Sequence, residues 1–245
     1  MEPETYLRHL RDAGEGIARA AEAPGADLTA PVPSCPDYDV AALLVHTGFV
    51  LRWISACAES GEMAPRPSSD EAAADPLTWY RDGLTRALDV LGSVDRDAPG
   101  WSWGSDQSRG FWIRRAALEL AVHAWDARNA LGEAPPVDPA LAADGIDELF
   151  TEFVPRRGLA GRFEGEGQTM HLHATDAPAG TNGEWLVRLA PAAFEVTHEH
   201  AKGDAAARGT ASDLFLFLWG RVPPAALEVF GDASLLERWR ERCSI

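Results

Sequence analysis

The sequence predicts an α+β protein, a helical bundle followed by a small α/β domain, on three observations. Apolar residues recur at the helical period through roughly the first two-thirds of the chain. After Gly167 the pattern changes to strand-like alternation. Polar connections rich in proline and glycine separate the periodic segments. The boundary is expected near Pro155–Gly161, with the bundle in residues 1–157 and the α/β domain in residues 158–245.

From about Glu4 to Ala21, the residues Tyr6, Leu7, Leu10, Ile17 and Ala20 stand at helical spacing. The proline-rich connection PGADLTAPVPSCP leads into a second helix, VAALLVHTGFVLRWISACAES, with Asp37 and Asp39 as candidate N-caps. Asp75 as cap and Pro76 at the first position predict a third helix to about Leu91. A loop rich in Trp and Gly, from Pro99 to Gly110, precedes the fourth helix, FWIRRAALELAVHAWDARNALG. That helix is expected from near Ser108 to a stop at Gly132. A fifth runs from near Pro139 to about Val154, enough helices for a bundle. Gln168–Thr175, Glu184–Leu189 and Phe194–Thr197 then alternate as strands, the first two joined by the turn signal APAGTNG. Asp213–Arg221 reads as a buried helix and Ser234–Arg242 as a closing amphipathic one.

Hydrophobic residues make up 46% of the chain and charged residues 24%, which excludes a disordered protein. A net charge of −16 repels phosphate backbones and anionic lipid, so neither nucleic acid nor a membrane surface is an expected partner. An anionic small molecule stays open, since a local cationic pocket can override the global field. No apolar run reaches the roughly 20 residues that span a bilayer. The acidic, amphipathic N-terminus MEPETYLRHLRDAGEG lacks a signal-peptide pattern. Cys35, Cys57 and Cys243 form neither a disulfide framework nor a CxxC pair; buried inert thiols in a reducing cytoplasm are expected. The assembly is expected to be a monomer or a small homo-oligomer.

The fourth helix carries the chemistry. Apolar residues surround it almost completely, as in a helix at the centre of a bundle. Yet Glu119 and His123 stand one turn apart on one face, their Cβ atoms roughly 5–6 Å apart. A carboxylate in such a place needs an ion partner or a metal. His46 on the second helix shares a face with Ala42, Leu43, Phe49, Val50 and Trp53, so it also points inward. Two histidines and a glutamate make a donor set for zinc or a similar divalent ion, and three protein ligands leave a position open for chemistry. The alternative is a buried Glu–His pair beside an unrelated core histidine.

These segments resemble the mycothiol-dependent maleylpyruvate isomerase family, within the DinB-like superfamily of metal-binding bundles. The resemblance rests on DVAALLVHTGFVLRW around His46 and ELAVHAWDARNALG around Glu119 and His123. It continues through HLHATD, NGEW, GTASDLFLFLWGR and LEVFGD, in that order over nearly the whole chain. It implies a DinB-like up-and-down bundle holding a divalent metal, zinc or a neighbour, at His46, Glu119 and His123. It also implies a small C-terminal α/β domain, with mycothiol as cosubstrate for an isomerase or S-transferase acting on an electrophilic small molecule. Arg221 matches a functional arginine ending the LWGR motif and could clamp a substrate carboxylate, or serve as a surface ion pair or helix-end cap. Two other classes stay open: a non-catalytic binding or regulatory protein on the same scaffold, and a metal hydrolase that needs no thiol.

Further residues have two readings each. Asp126 could orient a ligand histidine or pair with Arg128 or Arg115. His171 and His173 share one side of a strand and mimic a ligand pair, with a structural role favoured by the family motif. His198 and His200 read as exposed. Trp101, Trp103 and Trp112 could wall a pocket or fill a core.

Overall fold

Four helices build the first of two units, Met1–Pro135: α1 (Pro3–Glu22), α2 (Val40–Ser60), α3 (Pro76–Ser93) and α4 (Phe111–Ala130). The computed structural model describes residues 1–68, 72 and 74–244. The expected caps operate. Asp39 accepts from the Ala42 amide and Asp75 from the Thr78 amide, each satisfying a donor that the first helical turn leaves open. Gly61 closes α2 in the left-handed region at φ 71°, a conformation that costs glycine nothing.

In the bundle α2 packs along α3 and α1 along α4, with α1–α3 and α2–α4 contacts closing the ring. Leu10, Ile17, Leu43, Leu44, Leu51, Tyr80, Leu84, Trp112 and Leu120 fill its core. The buried Tyr80 hydroxyl donates to the Gly14 carbonyl at 2.9 Å. Glycine lets α2 and α3 approach closely, since a Cβ on Gly83 would meet the Gly48 carbonyl oxygen at 2.9 Å. By length and composition α2 could cross a bilayer, contrary to the expectation that no run reaches that length. Half of that stretch is buried in the bundle, where a core helix is just as apolar.

The second unit, Pro136–Ile245, begins upstream of the boundary expected near residues 155–161. Its first helix, α5 (Pro139–Glu148), is capped by Asp138 and packs on α8 (Ala211–Leu218). The expected fifth helix also breaks into pieces: a π-helical turn Leu149–Phe153, then α6 (Val154–Arg157) and α7 (Leu159–Phe163). Pro155 has no N–H to return to Thr151, so a regular ladder cannot run through it.

The sheet follows: β1 (Gln168–Ala174), β2 (Glu184–Leu189), β3 (Phe194–Thr197), β4 (Ala205–Gly209) and β5 (Glu228–Gly231) in the order β3-β2-β1-β4-β5. Only the β1–β4 pair is parallel. Trp185, Val187 and Leu189 of β2 are buried, and the Trp185 indole N–H donates to Asp147 of α5 at 2.6 Å. Helix α9 (Ser234–Cys243) closes the chain.

Cys57 and Cys243 are fully buried, and burial raises both thiols, Cys243 to about 12. Neither forms an appreciable thiolate near neutral pH, whereas Cys35 is partly exposed. A thiol reagent at about pH 8 is expected to modify Cys35 alone in the native protein and all three cysteines after denaturation. Rapid labelling of Cys57 or Cys243 in the folded chain would contradict this packing.

Candidate metal centre

The three expected donors meet. His46 Nε2 lies 3.8 Å from Glu119 Oε1, and His123 Nε2 lies 3.4 Å from the same oxygen. One ligand atom from each residue falls within 4.8 Å of the other two. The two imidazoles face each other edge to face, centroids 5.1 Å apart and planes at 82°. Their positions follow from the helices, with Glu119 and His123 one turn apart on α4 and His46 on the neighbouring α2. The site is not sealed: the side chains of His46, Glu119 and His123 keep 33, 17 and 12% of their surface exposed.

A polar frame holds these donors. Arg115, 3% exposed, donates from Nη2 to Glu119 Oε2 at 2.6 Å, leaving Oε1 for the two histidines. Asp126, fully buried, sits 3.0 Å from His123 Nδ1 and accepts from the Ser34 hydroxyl at 2.5 Å. An ionised carboxylate can only accept, so Nδ1 carries the proton and Nε2 faces the cluster. The contact expected of a residue that orients His123 is therefore present. Arg115 goes to Glu119, four residues on, and Arg128 pairs with Glu133 at 2.8 Å. The ring of Tyr38, a residue that sequence spacing did not single out, lies 5.6 Å from that of His46.

Burial pushes the Glu119 carboxyl up, but the Arg115 guanidinium and the neighbouring imidazoles of His123 and His46 outweigh it. They hold the group well below the usual carboxylate range. Burial pushes His123 down, but its hydrogen bonds to Asp126 and Glu119 win and raise it to about 9. Without an ion the site thus favours the protonated imidazole, whose proton a bound divalent cation would displace. Two imidazole nitrogens and one carboxylate oxygen also match the donors that zinc and its neighbours take. The residues fit a divalent cation.

Trp112, fully buried, packs edge to face on Trp53 at 5.3 Å and lies 5.8 Å from Trp101, while Trp103 meets Phe111 at 5.0 Å. Arg221 belongs to the second unit, just after α8, where its Nη1 donates to the Trp219 carbonyl at 2.7 Å. His171 and His173 stand on β1 of the second unit and bond to Glu184.

Among curated proteins, none matches the chain. Two family models do: the mycothiol maleylpyruvate isomerase N-terminal domain over residues 10–128, and the MDMPI C-terminal domain over residues 140–238. Among solved structures, that of a mycothiol-dependent maleylpyruvate isomerase superposes with a TM-score of 0.58 at 13% identity, covering 94% of this chain and 93% of that one. A histidine-to-alanine mutant of that isomerase superposes with a TM-score of 0.57, at the same identity and coverage. At this identity the superpositions establish a common fold, and the two domain matches, in the same order along the chain, establish the lineage. The chain belongs to the mycothiol maleylpyruvate isomerase family.

Proposed function

We propose that the protein is a divalent-metal-dependent enzyme that adds mycothiol to an electrophilic small molecule, as a cis–trans isomerase of the maleylpyruvate type or a mycothiol S-transferase. The observation that carries this reading is the convergence of His46, Glu119 and His123 donor atoms within 4.8 Å. Family membership supports the thiol. These three residues would hold the ion, and their mixed nitrogen and oxygen character favours zinc. When bound, such an ion lowers the pKa of a thiol or water beside it and offsets developing negative charge.

The chain's own residues do the positioning. Arg115 fixes one oxygen of Glu119 and leaves the other for the site. Asp126, itself held by Ser34, locks the His123 ring with Nε2 inward. Arg221 of the second unit is the proposed carboxylate-binding group, because its planar fork suits bidentate recognition. In the isomerase case the thiol S–H adds across an activated C=C bond, the resulting single bond rotates, and the same thiol leaves. In the transferase case the thioether is the product.

Asp126→Asn keeps the shape but removes the charge that orients His123. It is expected to weaken divalent-ion affinity about 10- to 100-fold in chelator competition; unchanged affinity would deny Asp126 this role.

The proposal is tested by elemental analysis, a calorimetric titration with mycothiol, and turnover assays on maleylpyruvate and other activated electrophiles. A His46-dependent divalent ion together with mycothiol-dependent turnover supports it. Turnover without any thiol supports a hydrolase instead. Neither ion nor thiol binding leaves a non-catalytic scaffold.

A further inference from the structure

A second cluster of metal-ligating side chains among the described residues lies on the sheet of the second unit. Along β1 the side chains alternate, so Met170, Leu172 and Ala174 share one face and Thr169, His171 and His173 the other. The antiparallel register sets Glu184 of β2 opposite His173 and therefore diagonal to His171. His200, from the segment between β3 and β4, lies over this face, its ring 5.1 Å from that of His171 and 5.8 Å from that of His173.

All three imidazoles turn a nitrogen to one carboxylate. His171 Nε2 stands 2.6 Å from Glu184 Oε2, while His173 Nδ1 and His200 Nδ1 stand 2.5 and 3.0 Å from Oε1. The nearest cation on β4, Arg208 opposite His173, is drawn to Glu228 at 2.7 Å. His171 is buried, whereas the His200 side chain is 75% exposed, so the cluster has a rigid floor and an open lid.

We infer that His171, Glu184 and His200 form a second divalent-metal site of zinc type on the outer face of the C-terminal sheet, with His173 holding the carboxylate in place. Donor atoms of the three ligands already lie within 4.8 Å of one another. Tetrahedral zinc at about 2.0–2.1 Å from each ligand atom puts neighbouring donors about 3.3 Å apart. Small side-chain rotations reach that geometry, and the imidazole protons facing Glu184 leave as the ion enters. The ligands come from two paired strands and one connecting segment, so the bound ion pins residues 198–204 to the sheet. Its effect is on stability, independent of the chemistry proposed for the bundle.

The test uses the full chain and zinc alone. His46→Ala, which removes one proposed ligand of the bundle, is expected to keep one tightly bound zinc ion and to melt higher with zinc than with chelator. Adding His200→Ala, an exposed position that tolerates substitution, is expected to weaken that binding about tenfold or more and to abolish the thermal shift. Adding His198→Ala instead, an exposed histidine outside the cluster, is expected to leave both intact. If His46→Ala binds no zinc, or if His200→Ala changes nothing, the cluster is only a hydrogen-bonded patch and the inference is overturned. If zinc survives His46→Ala but not His200→Ala, and the wild type holds no second ion, this site stands and the bundle proposal falls.

Discussion

His46→Ala is expected to strip the divalent ion from the bundle and to lower turnover about 10³-fold or more, with little loss of stability when both proteins are compared in chelator. An electrophilic metal supplies several kcal/mol of charge stabilisation, and each 1.36 kcal/mol is a factor of ten in rate. The imidazole is one-third exposed, so its truncation opens no core cavity, and the cost to the fold is about 1 kcal/mol or less. Glu119→Ala should behave differently. It removes a ligand and also breaks the 2.6 Å pair with Arg115, whose guanidinium is 3% exposed. Breaking a buried pair from one side costs about 3–5 kcal/mol. Elemental analysis and calorimetry on the two variants therefore separate metal binding from folding. Unchanged metal content and turnover in His46→Ala would defeat the proposal.

Trp239→Ala is expected to cost the second unit about 3–5 kcal/mol, a large part of the stability such a domain has. The indole is fully buried on α9 and donates to the Leu218 carbonyl at the end of α8 at 3.0 Å. Its ring meets those of Phe150 at 5.7 Å and Phe194 at 5.8 Å, so it ties the closing helix to the π-helical turn and to an edge strand. Trp239→Phe keeps much of the apolar area and loses the hydrogen bond, and should cost about 1–3 kcal/mol. Scanning calorimetry distinguishes the two. A loss below about 1 kcal/mol for the alanine variant would show that α9 is not part of the core.

The bundle helices were legible because their punctuation is chemical: Asp39 and Asp75 cap, Pro76 starts, and Gly132, in the left-handed region at φ 87°, stops. The pairing of Glu119 with His123 followed from the helical repeat alone, and His46 from the apolar face it shares. What spacing could not give was the frame. Arg115 stands four residues from Glu119 and eleven from Asp126, and its partner is decided by packing. Strand β4 escaped because Ala205, Ala206 and Ala207 carry none of the branched or aromatic residues that mark a strand; its place beside β1 is set by neighbours. Strand β5 has only four residues, too short a run for its Val229 and Phe230 to show an alternating pattern. The break at Pro155 was visible in the residue, but not the π-helical turn before it. His200 joins His171 only because the chain returns over the sheet, a long-range event that no local pattern encodes.

The parallel pairing of β1 with β4 has a consequence for how the C-terminal unit is made. The hairpins from β1 to β3 can zip locally, but the other edge of β1 takes a partner that lies 35 residues further on, as in the contact of Thr169 with Asp204. During synthesis that edge stays unpaired until the alanine strand has emerged, and an open strand edge is where chains stick to one another. Loop closure over that distance sets the pace of folding for this unit. Its yield in cells should fall with changes that weaken β4, the strand that closes this edge.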